Sequence, residues 1–319
     1  MEHYPMPEGR MKLFDSFGPA IAHTKRVLFA PFDFMKWFLF GIIIFVECLA
    51  TGGTGIVGGG GGDGDGNGGG NSNGQIDWEE FSLDWEQFSP WIIASIVITV
   101  VCAILVLGLI VVCQWLGSRF TMIFIESVAN NEVTIGRSWT ARSRNGNSLF
   151  LLKLCLMVVA LLVLIVFGGI AAQVFFSAGK EAGDNILPIV IPIIGLGLLA
   201  LIFLIIVSIL TRNFVAPLMY RFDLTALEGW RMFKPIMKSN LLSVFGFILY
   251  KIVFGFMIGI GTVLLGCVTC CIGFLPIISH TIWAPVYVFE RSLALLMIGA
   301  LGPEYQMIKP AQQKEAGEQ

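Results

Sequence analysis

The stretch Ile186-Leu-Pro-Ile-Val-Ile-Pro-Ile-Ile-Gly-Leu-Gly-Leu-Leu-Ala-Leu-Ile-Phe-Leu-Ile-Ile-Val-Ser-Ile-Leu-Thr211 contains no charged side chain and is closed by Arg212. A helix that is apolar on every side belongs in a protein interior or in lipid. Crossing the hydrocarbon core of a bilayer takes about 20 predominantly apolar residues, and this run is long enough. Five further segments read the same way, at 32–51, 91–118, 149–176, 241–264 and 274–297. With 56% apolar and only 13% charged residues, a water-soluble domain would expose more apolar surface than it could cover. The expected fold is all-α, an integral membrane helical bundle of about six transmembrane helices arranged as three hairpins with cytoplasmic interfacial amphipathic helices.

Basic residues orient this bundle, because cytoplasmic loops retain Lys and Arg during insertion. Of twenty Lys and Arg, nineteen lie outside the segments that alternating crossings would expose on the far side, and only Lys180 lies within them. The amino-terminal arm carries Arg10, Lys12, Lys25 and Arg26; the loop after the second span carries Arg119, Arg137, Arg142 and Arg144; the loop after the fourth carries Arg212, Arg221, Arg231, Lys234 and Lys238. Six spans place both termini in the cytoplasm. The expected division is a cytoplasmic amphipathic arm at 1–31, a six-span membrane domain at 32–300 and a cytoplasmic tail at 301–319. The last span has two readings. Either it ends near Phe289 and an interfacial helix follows, or it continues to Met297 with Glu290 and Arg291 inside the bundle.

Internal similarity favours the first reading. Three units recur, each an amphipathic basic segment followed by a two-span hairpin. Arg26-Val-Leu-Phe-Ala-Pro31 resembles Arg231-Met-Phe-Lys-Pro235; Phe124-Ile-Glu-Ser127 resembles Phe289-Glu-Arg-Ser292; Ala216-Pro217 resembles Ala284-Pro285. The competing explanation is that interfacial segments converge on Trp, Arg and Pro because headgroup chemistry selects them. Within the segments at 133–148 and 223–240, Trp139, Trp230 and Arg231 read as interfacial anchors, apolar side down with the cations snorkelling toward anionic headgroups.

The first outer loop, 52–90, has seven acids and no Lys or Arg, and fourteen of the twenty-three residues at 52–74 are Gly. Such a segment cannot bury a core and reads as a flexible spacer. Asp63, Asp65 and Asn67 match the opening of a calcium loop, yet Gly74 stands where the bidentate Glu belongs. A spacer is therefore the expectation. After it comes a seven-residue repeat, Asp77-Trp-Glu-Glu-Phe-Ser-Leu then Asp84-Trp-Glu-Gln-Phe-Ser-Pro. A helix there would put Trp78, Phe81, Trp85 and Phe88 on one stripe, at the outer membrane surface or in a partner's groove.

Charges inside the hydrocarbon region cost roughly 2.5–3.5 kcal/mol on insertion scales and so face a partner or a cavity. The candidates are Glu47, Lys251 and His280, with Glu290 and Arg291 added by the second reading of the last span. Glu47 and Lys153 are placed to snorkel to opposite interfaces. Lys251 is not, and its expected partner is Glu47 or a backbone carbonyl. Seven Cys include Cys267, Cys270 and Cys271 at a presumed outer turn, where a disulfide is conceivable and a metal is not expected. Phosphate loops, nucleophile elbows, dinucleotide fingerprints and zinc-binding His pairs are all missing from the sequence. No cofactor and no nucleic-acid partner is expected.

Ala226-Leu-Glu-Gly-Trp-Arg-Met-Phe233, Phe289-Glu-Arg-Ser292 and Gly302-Pro-Glu-Tyr305, with the six-span layout, resemble a group of uncharacterised bacterial multi-pass proteins. That group resembles the membrane domain attached to some glycerophosphoryl diester phosphodiesterases. The resemblance implies a bacterial inner membrane; the phosphodiesterase catalytic barrel is absent from this chain, so its chemistry does not carry over. The leading expectation is a non-catalytic scaffold or accessory protein engaging the lipid bilayer and membrane-protein partners. A transporter using Lys251 and Glu47 is second, and a lipid-modifying enzyme third.

Overall fold

The computed structural model describes residues 9–49, 90–178, 187–268 and 276–308. Among these residues there are helices and turns and no strand. Helix α1 (Leu13–Phe29) turns into α2 (Phe34–Leu49), and α3 (Pro90–Asn130) leads through the short α4 (Ile135–Ala141) to α5 (Ser143–Ala178). Helix α6 (Leu187–Leu210) passes through a π turn (Thr211–Val215) into α7 (Ala216–Phe222). Then come α8 (Ala226–Ser239), α9 (Leu241–Val268), α10 (Pro276–Ile282) and α11 (Ala284–Gly299). Residues 94–130, 143–174, 189–222 and 241–264 form four helices long and apolar enough to cross a membrane; α1 and α2 pass that test only as a pair bent by 116°.

The chain separates two kinds of apolar surface. One is a packed core built from α1, α2, the end of α3, the π turn and α7, α8, the start of α9, and α11 with its tail to Ile308. The other is bare. On α3 it spans Ile96 to Val112, on α5 Leu151 to Ile170, on α6 Ile189 to Ile205, and on α9 Leu249 to Leu264. Each of these helices therefore has one end in the core and the rest projecting from it. An all-round apolar helix needs no partner in lipid, since acyl chains are as apolar as Leu. Helix α3 is 41 residues long, about 61 Å at 1.5 Å per residue, enough to project through hydrocarbon and still continue into the core.

Local chemistry explains the core helices. In α1, Leu13, Ser16, Ala20, His23, Thr24, Val27 and Leu28 are buried, a stripe at three- and four-residue spacing that packs along α11. The Glu228 carboxylate accepts from the backbone N–H and the hydroxyl of Thr225, both at 2.8 Å, where α8 begins. Its apolar face, Gly229, Met232, Phe233 and Ile236, is filled by protein, with Phe233 stacked on Phe214 at 5.4 Å. That corrects the expectation of a helix lying apolar side down on lipid: the π turn and α7 reach that face first. Trp230 is likewise drawn inward, its Nε1 donating to Thr211 Oγ1 at 3.1 Å, while Arg231 stays exposed.

The last apolar segment is also corrected. Its described part, 276–299, is two helices rather than one, and Arg291 lies inside the packed core as in the second reading. The helix breaks at Trp283, with Pro285 in the first turn of α11, and α11 runs past Phe289 to Gly299 with Arg291, Ser292 and Leu293 buried. Helix α10 lies against α2 so closely that a Cβ on Gly41 would meet Thr281 Oγ1 and lie 2.9 Å from Thr281 Cα.

Candidate functional site

The charged residues of the apolar segments converge where the projecting helices enter the core. Glu47, on α2, is fully buried and its Oε1 accepts two guanidinium bonds, from Arg291 Nη2 at 2.7 Å and from Arg212 Nε at 3.0 Å. The two arginines are also joined to each other, since Arg291 Nη1 donates to the Arg212 carbonyl at 2.8 Å. Arg212 sits in the π turn, and the i+5 pattern of such a turn displaces backbone carbonyls from the regular ladder, making one available here. Three elements, α2, the π turn and α11, are thereby tied at one point. The Arg291 guanidinium also lies over the Phe124 ring at 5.1 Å, bringing in α3.

One carboxylate thus serves two cations, and a third is near. Lys153, buried on α5, reaches Thr121 Oγ1 at 3.5 Å. Glu47 Oε2 has no hydrogen-bond partner among the described residues. The expectation that Glu47 and Lys153 snorkel to opposite interfaces is overturned, because both are enclosed by helices before their heads could reach water.

Lys251 does not pair with Glu47 or a carbonyl. Its Nζ bonds Glu290 Oε2 at 2.7 Å, with side-chain exposures of 11% and 13%. Adjacent on α11, Glu290 and Arg291 point about 100° apart, so Glu290 meets α9 while Arg291 reaches Glu47. His280 lies in an aromatic stack, 5.6 Å from the Phe45 ring and 6.1 Å from that of Tyr287.

At a second location, the Arg119 guanidinium carbon lies 4.7 Å from the rings of both Trp115 and Trp139, which meet each other edge to face at 5.7 Å. Arg142, above the Tyr220 ring at 4.6 Å, pairs with Glu126 at 3.7 Å. Asp63, Asp65, Asn67, Trp78 and Trp85 lie outside the described residues, as do Cys270 and Cys271. Among the described residues no group of His, Cys, Asp and Glu could hold a metal ion.

Of the intramembrane candidates, the structure brings Glu47, Lys251, Glu290 and Arg291 into one neighbourhood around α11. Sequence reasoning missed Arg212, which it assigned to a loop. The available signal was its position directly after an uncharged run, where a cation either leaves for water or finds a carboxylate. An apolar groove between α5 and α6, lined by Val163, Phe167, Gly168, Ile194, Gly197 and Leu201 among others, contains none of these charges.

Four long apolar helices with lipid-length bare surfaces, sharing one packed end, define a membrane-spanning all-α protein. More narrowly, the chain belongs to a family of unknown function, DUF7544, which matches residues 11–281. That match carries no link to the membrane domains of glycerophosphoryl diester phosphodiesterases. No curated protein and no solved structure matches the chain.

Proposed function

We propose that the protein is a non-catalytic scaffold of the bacterial inner membrane, which holds lipids or partner membrane proteins around a charge-locked helical core. The carrying observation is that the intramembrane acids are each bonded to basic side chains inside the core: Glu47 to Arg212 and Arg291, Glu290 to Lys251. A transporter needs its intramembrane charges accessible to a hydrated path; Glu47 is wholly enclosed and Lys251 nearly so. Six passages fit this reading, with α3, α5, α6 and α9 as full-length spans and α2 and α10 as short passages packed against each other. Lys36 to Asn131 at 2.8 Å and Phe40 to Phe124 at 6.2 Å make α2 and α3 antiparallel neighbours. An even count, with the basic core end inside, leaves both termini in the cytoplasm.

The test separates pairing from transport. Removing one partner of a mostly buried pair leaves a stranded charge and costs about 3 kcal/mol, whereas apolar replacement of both is close to neutral. Lys251→Met alone should therefore lower the melting point of the purified protein, and Lys251→Met with Glu290→Met should restore it. Proteoliposomes with a pH-sensitive dye inside should show no proton flux above empty vesicles for either protein. Flux in the wild type that the well-folded double variant lacks would replace the scaffold with a transporter.

A further inference from the structure

We infer that the Arg119 cage is a binding site for the phosphate of an anionic phospholipid. This deepens the reading under Proposed function and rests on it for the membrane setting. Arg119 is held from three sides. Trp115 and Trp139, edge to face at 5.7 Å, form a corner with the guanidinium carbon 4.7 Å from each ring, and Nε and Nη2 donate to Asn147 Oδ1 at 3.2 and 3.1 Å. Trp115 Nε1 donates to the same oxygen at 3.2 Å. Gly146 permits the approach: a Cβ there would stand 3.0 Å from Arg119 Cγ and 3.2 Å from its Cα.

This arrangement fixes the guanidinium without neutralising it. The indoles offer quadrupoles and Asn147 a neutral oxygen, so the full positive charge remains. Nη1 has no acceptor among the described residues, and all three bonds to Asn147 fall on its Oδ1. Arg144, exposed, is three residues before Asn147 and shares its helix face. From Pro90 to Ser148 the acids are Glu126 and Glu132 alone. Glu126 pairs with Arg142. Glu228, the acid that faces Arg144 from α8, accepts from Thr225. Planar donors around uncompensated positive charge fit a phosphate.

Depth selects the lipid as its source. On α3 the strongly exposed apolar stretch ends at Val112, 57% exposed and seven residues before Arg119, about 10 Å along the helix. On α5 it starts at Leu151, 63% exposed and four residues after Asn147, about 6 Å away. Two antiparallel helices thus set the cage just beyond the hydrocarbon edge, in the layer several ångströms thick that headgroups occupy. Trp favours that layer, and a lipid anchored by its phosphate would lay its acyl chains along Val112 and Leu151.

The full chain, purified in neutral detergent, should be examined by native mass spectrometry with phosphatidylglycerol or phosphatidylcholine at equal concentration. The first bound phosphatidylglycerol should be retained about tenfold more than phosphatidylcholine. Arg119→Gln should abolish that preference and Asn147→Ala weaken it several-fold. Lys12→Gln, remote and paired with Asp15, should leave it intact. Should Arg119→Gln fail to fold, Arg119→Lys decides the matter: it keeps the charge, lacks the planar fork, and should lose most of the preference at an unchanged melting point. Equal retention of the two lipids, or a preference surviving both Arg119 variants, overturns the site. So does binding of inorganic phosphate at 1:1 that excludes phosphatidylglycerol, which would make a free anion the ligand. The retention ratio involves no flux, so a proton-conducting wild type would sink the scaffold reading and leave this result standing.

Discussion

Replacing Glu47 by Gln should be among the most damaging single changes in this protein. Its Oε1 stands 2.7 Å from Arg291 Nη2 and 3.0 Å from Arg212 Nε, with side-chain exposures of 0% for Glu47, 2% for Arg291 and 12% for Arg212. Gln keeps an oxygen in place but removes the negative charge, leaving two cations without a contacting anion. Deleting one member of a buried pair costs about 3–5 kcal/mol, because the remaining charge stays desolvated. The two losses share one carboxylate and do not add, so that same range applies to the whole cluster. At roughly 2–4 °C per kcal/mol for a large domain, the melting point should fall by about 6–20 °C. Detergent-solubilised protein followed by size exclusion after heating gives the reading. Glu47→Gln with Arg291→Met removes the more buried cation as well, and should recover part of the loss, since Arg212 alone then lacks its anion. A Glu47→Gln melting point within about 2 °C of the wild type would refute the claim that this carboxylate compensates buried charge.

Two further changes probe the packing and the surface. Gly41→Ala drives a methyl into Thr281 Oγ1 and the Thr281 backbone; because backbone cannot rotate away, a loss of about 1–3 kcal/mol is expected, read in the same melt. Glu228 is held below its ordinary carboxyl value of 4.5, chiefly by the Thr225 backbone N–H and then by its hydroxyl. A depressed folded value means stability present above the unfolded value and lost as pH falls through the folded one. Glu228→Gln should therefore melt below the wild type at neutral pH, and the gap should narrow as the pH falls from the ordinary carboxyl value through the lower folded one; a gap independent of pH would show that charge plays no part.

The projecting helices were legible because their signal is self-contained. Runs at 91–118, 149–176, 186–211 and 241–264 are apolar nearly all round, Lys153 and Lys251 apart, and their helical nature needs no partner to interpret; they became α3, α5, α6 and α9. How far each helix continues was not legible. Helix α3 persists through Arg119 and Glu126 to Asn130 because the core supplies partners there, Asn147 to the one and Arg142 to the other. The partner of Lys251 was hidden for a related reason. Glu47 and Glu290 were both available, 204 residues before and 39 after it, and distance along the chain does not say which of them packs against α9. Trp139 and Trp230 were read as interfacial anchors, and composition could not say that Trp139 sets its ring against Arg119 or that Trp230 gives its N–H to Thr211.

The division between bare and packed surface explains why the charges gather at one level. Lipid exerts no preference among apolar helix faces, so the outer lengths of α3, α5, α6 and α9 carry little information about how the helices should be turned. Orientation must come from groups that tolerate few arrangements, and a carboxylate with two guanidiniums is such a group. Helix α11 is where these constraints meet. Glu290 fixes it to α9, Arg291 fixes it to α2 and the π turn, and its remaining buried face lies along α1. A buried ion pair adds little net stability over an apolar replacement but penalises every misregistered alternative by leaving charge unpaired. The expected near-neutrality of the Lys251→Met and Glu290→Met double variant, beside the harm done by either half, is what such a register device predicts.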